Sequence, residues 1–294
     1  MFTIFSTPKD FSGEFDLIQK NALSSWRNIS NEIEIIILGE SKGAKTAAKA
    51  IDALYIPDIP LSDQGTPTIP GLFKFAENNG TNNIFCFLNS DIILSPDYFS
   101  SIKTVHSHFR KFLAIGYRYN IDVQSTIDFS IKSKSREFFL AAEQKAIKGS
   151  SSAIDIFCFS KGLYNKIPEF AVGRPGFDNW LIWKARRTFT PVIDITNETK
   201  IFHQNHSFNF KGFKSHSDIL DSKEAKMNYK LIGTDALTLN DANWLLIRGK
   251  IIKKKDNEFV QRNLWKRSII FHEFAFFLIF YKKIYRQIVK IFFS

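Results

Sequence analysis

The chain has 294 residues, of which 44% are hydrophobic and 23% charged, with 31 phenylalanines and a formal net charge of +11. This is enough for one large domain or one and a half, and a folded soluble body is expected rather than a disordered chain. The charge is uneven: residues 250–294 hold 11 Lys/Arg against 3 Asp/Glu and carry +8, so the first 249 residues carry only +3.

The N-terminus "MFTIFSTPKD" has no basic region and no long apolar run, so no signal peptide is expected. "FTIFS" reads as a first strand. Phe15–Ile29 places Leu17, Ile18, Ala22, Ser25, Trp26 and Ile29 at helical spacing. "EIIIL" at 34–38 is a second strand, Lys45–Leu54 a short helix, and Ile69–Asn78 a third helix after "GTPTIP". Ile84–Leu88, "IFCFL", is a continuous apolar run suited to a central strand buried on both faces. Asn89-Ser90-Asp91 and an apolar turn follow. Ser95 is predicted to cap a helix over Pro96–Phe109, with Pro96 at its first position. "FLAIGY" is the next strand. This alternation predicts a mostly parallel sheet flanked by helices, with ligands at the carboxyl ends of the strands.

The second half is less regular. Glu137–Lys148 is a helix, "IDIFCFS" a strand, "GFDNWLIWKARR" a helix start, and "PVIDIT" and "TKIFHQ" short strands. Cys86 and Cys158 each lie in an apolar strand, which predicts buried free thiols and fits a reducing cytoplasm.

"ILGESKGAKTAAKA", Ile37–Ala50, lies one residue from a phosphate-binding loop, GxxxxGK[ST]. Ala44 stands where that loop needs a glycine, whose backbone geometry a Cβ resists. Asp91, the nearest candidate for the metal-holding carboxylate, comes three residues after its strand. The stretch therefore reads as a strand end, a turn and a helix start.

Asp91 carries more weight. A carboxylate at the C-terminal end of a central strand is placed to bind Mg²⁺ or Mn²⁺ together with substrate phosphates. Asp178 stands at a helix start after "GRPG", and His203 and His206 follow a short strand, where the pair could reach a metal or phosphate.

In the tail, the apolar run Ile269–Tyr281 is 13 residues and contains His272 and Glu273. A spanning helix needs about 20, so no span is expected. Beyond it, Lys282, Lys283, Arg286 and Lys290 share one side, and Tyr281, Ile284, Tyr285, Ile288 and Phe292 the other. Residues 260–294 are expected to lie on an anionic membrane surface, in preference to packing on the body with a solvated basic face. Nucleic acid is not the expected partner, because phosphate-backbone binding does not need the bulky aliphatic residues.

The order of these pieces resembles a GT-A-fold glycosyltransferase of the family 2-like kind. More closely, "ILGE-KG-A", "IPDI", "GTP", "FLNSDIIL-PD", "VGR-GFDNWLI-KAR", "PVID-T" and "HQNHSF" resemble an uncharacterised bacterial and plant glycosyltransferase-like group, in order and spacing, over residues 1–245. The resemblance implies a GT-A-like α/β domain, with a nucleotide-sugar-binding, Rossmann-like half over 1–120 and an irregular acceptor half over 121–245; the basic amphipathic helical tail over 246–294 lies outside it. It places Asn89-Ser90-Asp91 at the DxD metal motif, with Asn in place of the first Asp. Thr7, Pro8, Glu40, Asp63, Thr66, Asn89 and Arg174 would meet the donor, Asp91 and His203 the Mn²⁺ or Mg²⁺, and Asp178 would be the catalytic base.

The implied reaction moves a sugar from a nucleotide-diphosphate donor to a hydroxyl of a surface or lipid-linked glycan, with inversion, at the inner face of a membrane. A nucleotidyltransferase is the nearest rival, but it would carry a Gly-rich basic loop after strand one. A non-catalytic nucleotide or glycan binder is the other, and Asn89 is its best support.

Overall fold

A computed structural model describes residues 1–207 and 212–276 of the chain. In chain order the elements are β1 (Thr3–Ser6), α1 (Glu14–Ile29), β2 (Glu34–Leu38), α2 (Ala44–Ala50), β3 (Leu54–Ile56), α3 (Ile69–Asn79), β4 (Ile84–Leu88), β5 (Ile92–Leu94), α4 (Asp97–His108), β6 (Leu113–Ile115) and β7 (Arg118–Ile121). They continue as α5 (Lys132–Lys145), β8 (Ile147–Lys148), β9 (Ile156–Ser160), α6 (Phe177–Arg187), β10 (Val192–Asp194), β11 (Ile201–Gln204), α7 (His216–Asp221), α8 (Lys223–Ile232), β12 (Trp244–Ile247), β13 (Lys250–Lys253) and α9 (Asn257–Ile270).

Among the described residues the strands form a nine-stranded sheet, ordered β13-β12-β10-β6-β9-β4-β1-β2-β3, and a four-stranded sheet, β5-β11-β7-β8. In the large sheet β1 pairs in parallel with β2 and β4, and β10 in parallel with β6 and β12. Strand β9 runs antiparallel between β4 and β6. The fold is a mostly parallel α/β sheet flanked by helices, as the alternation of elements predicts.

Period-two alternation sorts the core by face. Phe85 and Phe87 of β4, Phe157 and Phe159 of β9 and Phe5 of β1 bury their rings on one face, under Phe73 of α3. The Phe73 ring stacks on Phe159 at 5.0 Å and meets Phe5 edge-on at 5.2 Å. Burying each such ring contributes about 1.5–3 kcal/mol. The other face carries Ile4, Ile35, Ile37, Cys86, Cys158 and Ala114 under α1, α2 and α4. Cys86 and Cys158 sit directly opposite each other on β4 and β9, and both are buried free thiols. Tyr98 closes over them, its hydroxyl 2.9 Å from Cys86 Sγ.

Helix α1 has acidic residues Glu14 and Asp16 in its first turn and Arg27 in its last, matching the helix dipole. Its apolar stripe, which includes Ile18, Ala22 and Trp26, is buried, and Trp26 Nε1 donates to Ile92 O at 2.7 Å.

Several local expectations are corrected. The residues after Asp91, read as a turn, form β5, an outer strand of the small sheet. Residues 54–56, read as a helix end and exit, form β3. Ser95 does not cap α4; its hydroxyl meets Thr199 Oγ1 at 2.8 Å and accepts from Lys200 N at 3.2 Å. In each case the deciding partner is a distant strand or loop, which no local pattern encodes.

The chain crosses from the large sheet to the small one after β4, after β6 and after β10, so a seam runs between them. Gly116 lies on that seam, where a Cβ would come within 2.7 Å of Ile201 Cδ1, so a larger residue there would require the Ile201 side chain to shift.

The first part of the tail belongs to the body. Strands β12 and β13 extend the large sheet, and the boundary expected at 246 falls inside β12. Helix α9 docks through Trp183 Nε1 to Ile269 O at 2.8 Å and through Arg262 to both carboxylate oxygens of Asp241. The amphipathic pattern from Tyr281 onward lies outside the described residues. Among the described residues no helix is long and apolar enough to cross a membrane.

Candidate functional site

The seam brings together Asp91, between β4 and β5, and the two histidines at the end of β11. Asp91 Oδ2 lies 3.8 Å from His203 Nε2 and 3.4 Å from His206 Nε2. One ligand atom from each of the three residues falls within 4.8 Å of the others. The backbone of Asp91 is clamped by buried Gln204, whose main-chain N and Nε2 both donate to Asp91 O, at 3.2 and 3.1 Å. Gln204 Nε2 also donates to Ile18 O at 2.7 Å, and its Oε1 accepts from Asn21 Nδ2 at 3.3 Å. A second amide of α1, Gln19, accepts from Ser90 Oγ at 2.8 Å and from Lys9 N at 2.7 Å. The buried polar residues of α1 thus fix β11, the Asn89–Asp91 turn and the loop after β1 to one another.

Burial alone would push the Asp91 carboxyl up, but His203, His206 and Lys9 together bring it down to about 2. It is therefore an ionised acceptor at any ordinary pH. His206 Nδ1 lies 2.7 Å from Ser207 O, which can only accept. That contact puts a proton on Nδ1 and turns Nε2 toward Asp91. Asp91 Oδ1 and His203 Nδ1 are buried with no hydrogen-bond partner among the described residues. A carboxylate and two imidazoles whose ligand atoms converge in this way fit a divalent cation.

Asn89 has a partner of its own. Its Nδ2 donates to Asp155 Oδ1 at 2.8 Å, and Asp155 Oδ2 holds Arg118 Nη1 at 2.8 Å. A carboxylate at 89 would face Asp155 with like charge, so the amide suits this neighbour. Asp178 sits in the first turn of α6, where Gly176 N donates to its Oδ1 at 3.2 Å. Burial pushes its carboxyl up to about 7, and the Asp155 charge acts in the same direction. A carboxylate with a pKa near neutrality is matched to proton transfer. Asp91 and Asp178 both lie close enough to Arg118 to help hold its charge.

The residues expected at the donor fall into two sets. Thr7 and Pro8 after β1, and Glu40 after β2, stand at the carboxyl ends of adjacent parallel strands. Their loops are joined by Ser41 Oγ to Pro8 O at 2.6 Å and Phe11 N to Lys42 O at 2.8 Å. Gly43, with φ of +86°, packs so closely on Phe11 that a Cβ would sit 2.9 Å from Phe11 Cβ. Glu40 and Lys45 are exposed, and Ala44 is buried at the start of α2. Asp63 is exposed in the loop before α3. Thr66 and Arg174 instead converge on Glu224 of α8. Arg174 Nη2 and Thr66 Oγ1 meet Glu224 Oε2 at 2.8 and 3.0 Å, and Ser62 Oγ meets Oε1 at 2.5 Å.

Sequence reasoning missed Asp155, Arg118, Gln204 and Glu224. Glu14, also missed, accepts from Ser207 N at 3.1 Å and from the Ser207 hydroxyl, so it holds the chain just after His206. Only Asp155, opening the apolar run "IDIFCFS", carried a usable signal, a carboxylate beside a central strand.

No protein-family model matches the chain, and no curated protein does. Solved structures do. The S. aureus TarS fragment 1–349 in complex with UDP-GlcNAc superposes with a TM-score of 0.50 at 10% identity, over 79% of this chain and 70% of that one. M. tuberculosis glucosyl-3-phosphoglycerate synthase superposes with a TM-score of 0.48 at 10% identity, over 80% of each chain. The likeness to TarS shows a GT-A-type glycosyltransferase fold.

Proposed function

We propose that the protein transfers a sugar from a nucleotide-diphosphate donor to a hydroxyl acceptor. The observation that carries this reading is the Asp91–His203–His206 cluster at the sheet seam, with Asp178, whose carboxyl burial pushes up to about 7, as the candidate base. The TarS complex holds UDP-GlcNAc on the same fold, which supports a nucleotide-sugar as the donor.

In this reading Thr7, Pro8, Glu40 and Asp63 bind the nucleoside at the strand ends, and Asn89 orients the turn that carries Asp91. Asp91, His203 and His206 hold the divalent cation, which when bound offsets charge on the diphosphate leaving group. Two imidazole nitrogens in the set favour Mn²⁺ over Mg²⁺, which prefers oxygen ligands. Asp178 takes the proton of the acceptor hydroxyl as that oxygen attacks the anomeric carbon from the side opposite the diphosphate, and the configuration inverts. Arg174 and Thr66 are assigned to fixing the loop before α3 through Glu224, in place of the direct donor contact read from the sequence. The proposed division is a donor half over 1–120 and an acceptor half over 121–245. The acceptor is a surface or lipid-linked glycan, and residues beyond 276 bring the protein to the inner face of an anionic membrane.

Donor hydrolysis and transfer measured with UDP-, GDP- and dTDP-sugars and Mn²⁺ test the reading. Turnover of one donor that is lost in D178N, with nucleotide binding retained, is expected. Binding without turnover of any donor, acceptors included, would overturn the transferase assignment in favour of a binder.

A further inference from the structure

Among the described residues six buried polar side-chain atoms have no hydrogen-bond partner, and four of them lie around the seam: Asp91 Oδ1, Arg118 Nε, Asn120 Oδ1 and His203 Nδ1. Unsatisfied buried groups are uncommon and call for an explanation, and four in one place point to a ligand. Strands β7 and β11 pair in parallel with Arg118 opposite Ile201 and Asn120 opposite His203. Because side chains alternate along a strand, Arg118, Asn120 and His203 share one face.

Arg118 is held at one end only. Among the described residues its guanidinium makes one hydrogen bond, from Nη1 to Asp155 Oδ2, out of five N–H groups. Its stem packs where Gly149 has no side chain; a Cβ there would lie 3.0 Å from Arg118 Cγ. The side chain is 27% exposed, so it stands at the border between interior and solvent. Against the cost of burial its charge is held first by Asp155, with Asp91 and Asp178 acting in the same direction. Arg174, the arginine singled out from sequence, also has an Nε without a partner among the described residues, but it is only 7% exposed and its charge is paired with Glu224.

We propose that Arg118 reads a negatively charged oxygen, of a phosphate or carboxylate, on the molecule held between Asp91 and Asp178. The inference rests on the transferase reading and adds to it a residue that selects for charge. Without a cation here, the carboxylates of Asp91, Asp155 and Asp178 would repel an anionic ligand. Asp155, itself fixed by Asn89, orients the guanidinium so that Nε–H and the second amino group face the ligand as a fork. The anionic oxygen belongs either to the donor diphosphate or to an acid group on the acceptor.

Calorimetric titration of the full chain and of R118Q distinguishes the sources. UDP is titrated with Mn²⁺ present, and inorganic phosphate is then titrated into protein saturated with both. R118Q is expected to weaken one of the two by tenfold or more. Loss of UDP affinity assigns the contact to the donor; intact UDP affinity with loss of phosphate binding assigns it to the acceptor. Wild-type affinity for both in R118Q overturns the role of Arg118 and leaves the transferase reading standing. Failure of the wild type to bind phosphate or any of UDP, GDP and dTDP overturns both. If R118Q lowers the melting temperature, R118K carries the test, since it keeps a cation beside Asp155 and removes the fork. A threefold or larger loss is then expected, and unchanged affinities overturn the proposal.

Discussion

Asn89 Nδ2 donates to Asp155 Oδ1 at 2.8 Å, so the position where the DxD pattern has its first carboxylate serves here as a hydrogen-bond donor. Replacing Asn89 by Asp removes that donor and sets two carboxylates against each other in a partly buried site. N89D should lose about 1–3 kcal/mol of stability, read by urea unfolding at neutral pH, and should gain no Mn²⁺ affinity. Tighter Mn²⁺ binding in N89D would show that residue 89 belongs to the cation site after all.

Asp178 links stability to pH with a defined sign. Burial raises its folded-state pKa to about 7, above the ordinary aspartate value of 3.8. Between those values the folded state holds a proton that the unfolded state has released, so stability falls as pH rises through this window and is level above it. The effect is on the order of 4 kcal/mol at most. D178N should flatten the pH profile of the melting temperature over that window. In the wild type, transfer should rise with pH through about 7, as the base ionises. A wild-type melting profile that rises through the same window contradicts the assignment.

The proposed cation site should depend on residues that are not ligands. Asp91→Ala and His203→Ala should abolish Mn²⁺ binding measured by electron paramagnetic resonance on the protein without nucleotide. Gln204→Leu, which removes one of the two donors to Asp91 O, should weaken it by roughly 10–100-fold. Wild-type Mn²⁺ affinity in Gln204→Leu would show that the clamp on Asp91 does not orient the ligand.

Glu224 neutralises Arg174 in a site where both side chains are less than 10% exposed. Glu224→Ala leaves a buried charge unpaired, and a loss of about 3–5 kcal/mol is expected. Ser62 and Thr66 lose their acceptor at the same time, so the loop before α3 should become sensitive to limited proteolysis. An unchanged unfolding midpoint would mean that Arg174 finds another partner, such as a ligand phosphate.

The membrane proposal is tested by truncation after Phe276 rather than at 260, because α9 is docked on the body through Trp183 and Asp241. The shortened protein should fold with an unchanged melting temperature and no longer sediment with anionic vesicles. Equal sedimentation of both forms would remove the tail from the account.

The sequence by itself determined the elements whose signal is local. The apolar runs "IFCFL" and "IFCFS" became β4 and β9, buried on both faces, because a continuous apolar strand has no solvent-compatible face. The stripe of α1 set its buried side, and Asp91, Asp178 and His203 stood out as polar residues at element ends. What tertiary structure alone decided was the pairing between distant segments. It made 92–94 a strand of a second sheet, set β9 antiparallel, and brought His206 beside Asp91. It gave Asn89 to Asp155, Arg174 to Glu224 and left Arg118 facing the seam. The physical reason is common to all of these. A charged or amide group is read from sequence by its type, but its role follows from which partner removes its hydrogen-bonding capacity. Those partners lie 50 to 113 residues away along the chain in the pairs Arg174–Glu224, Asn89–Asp155 and Asp91–Gln204.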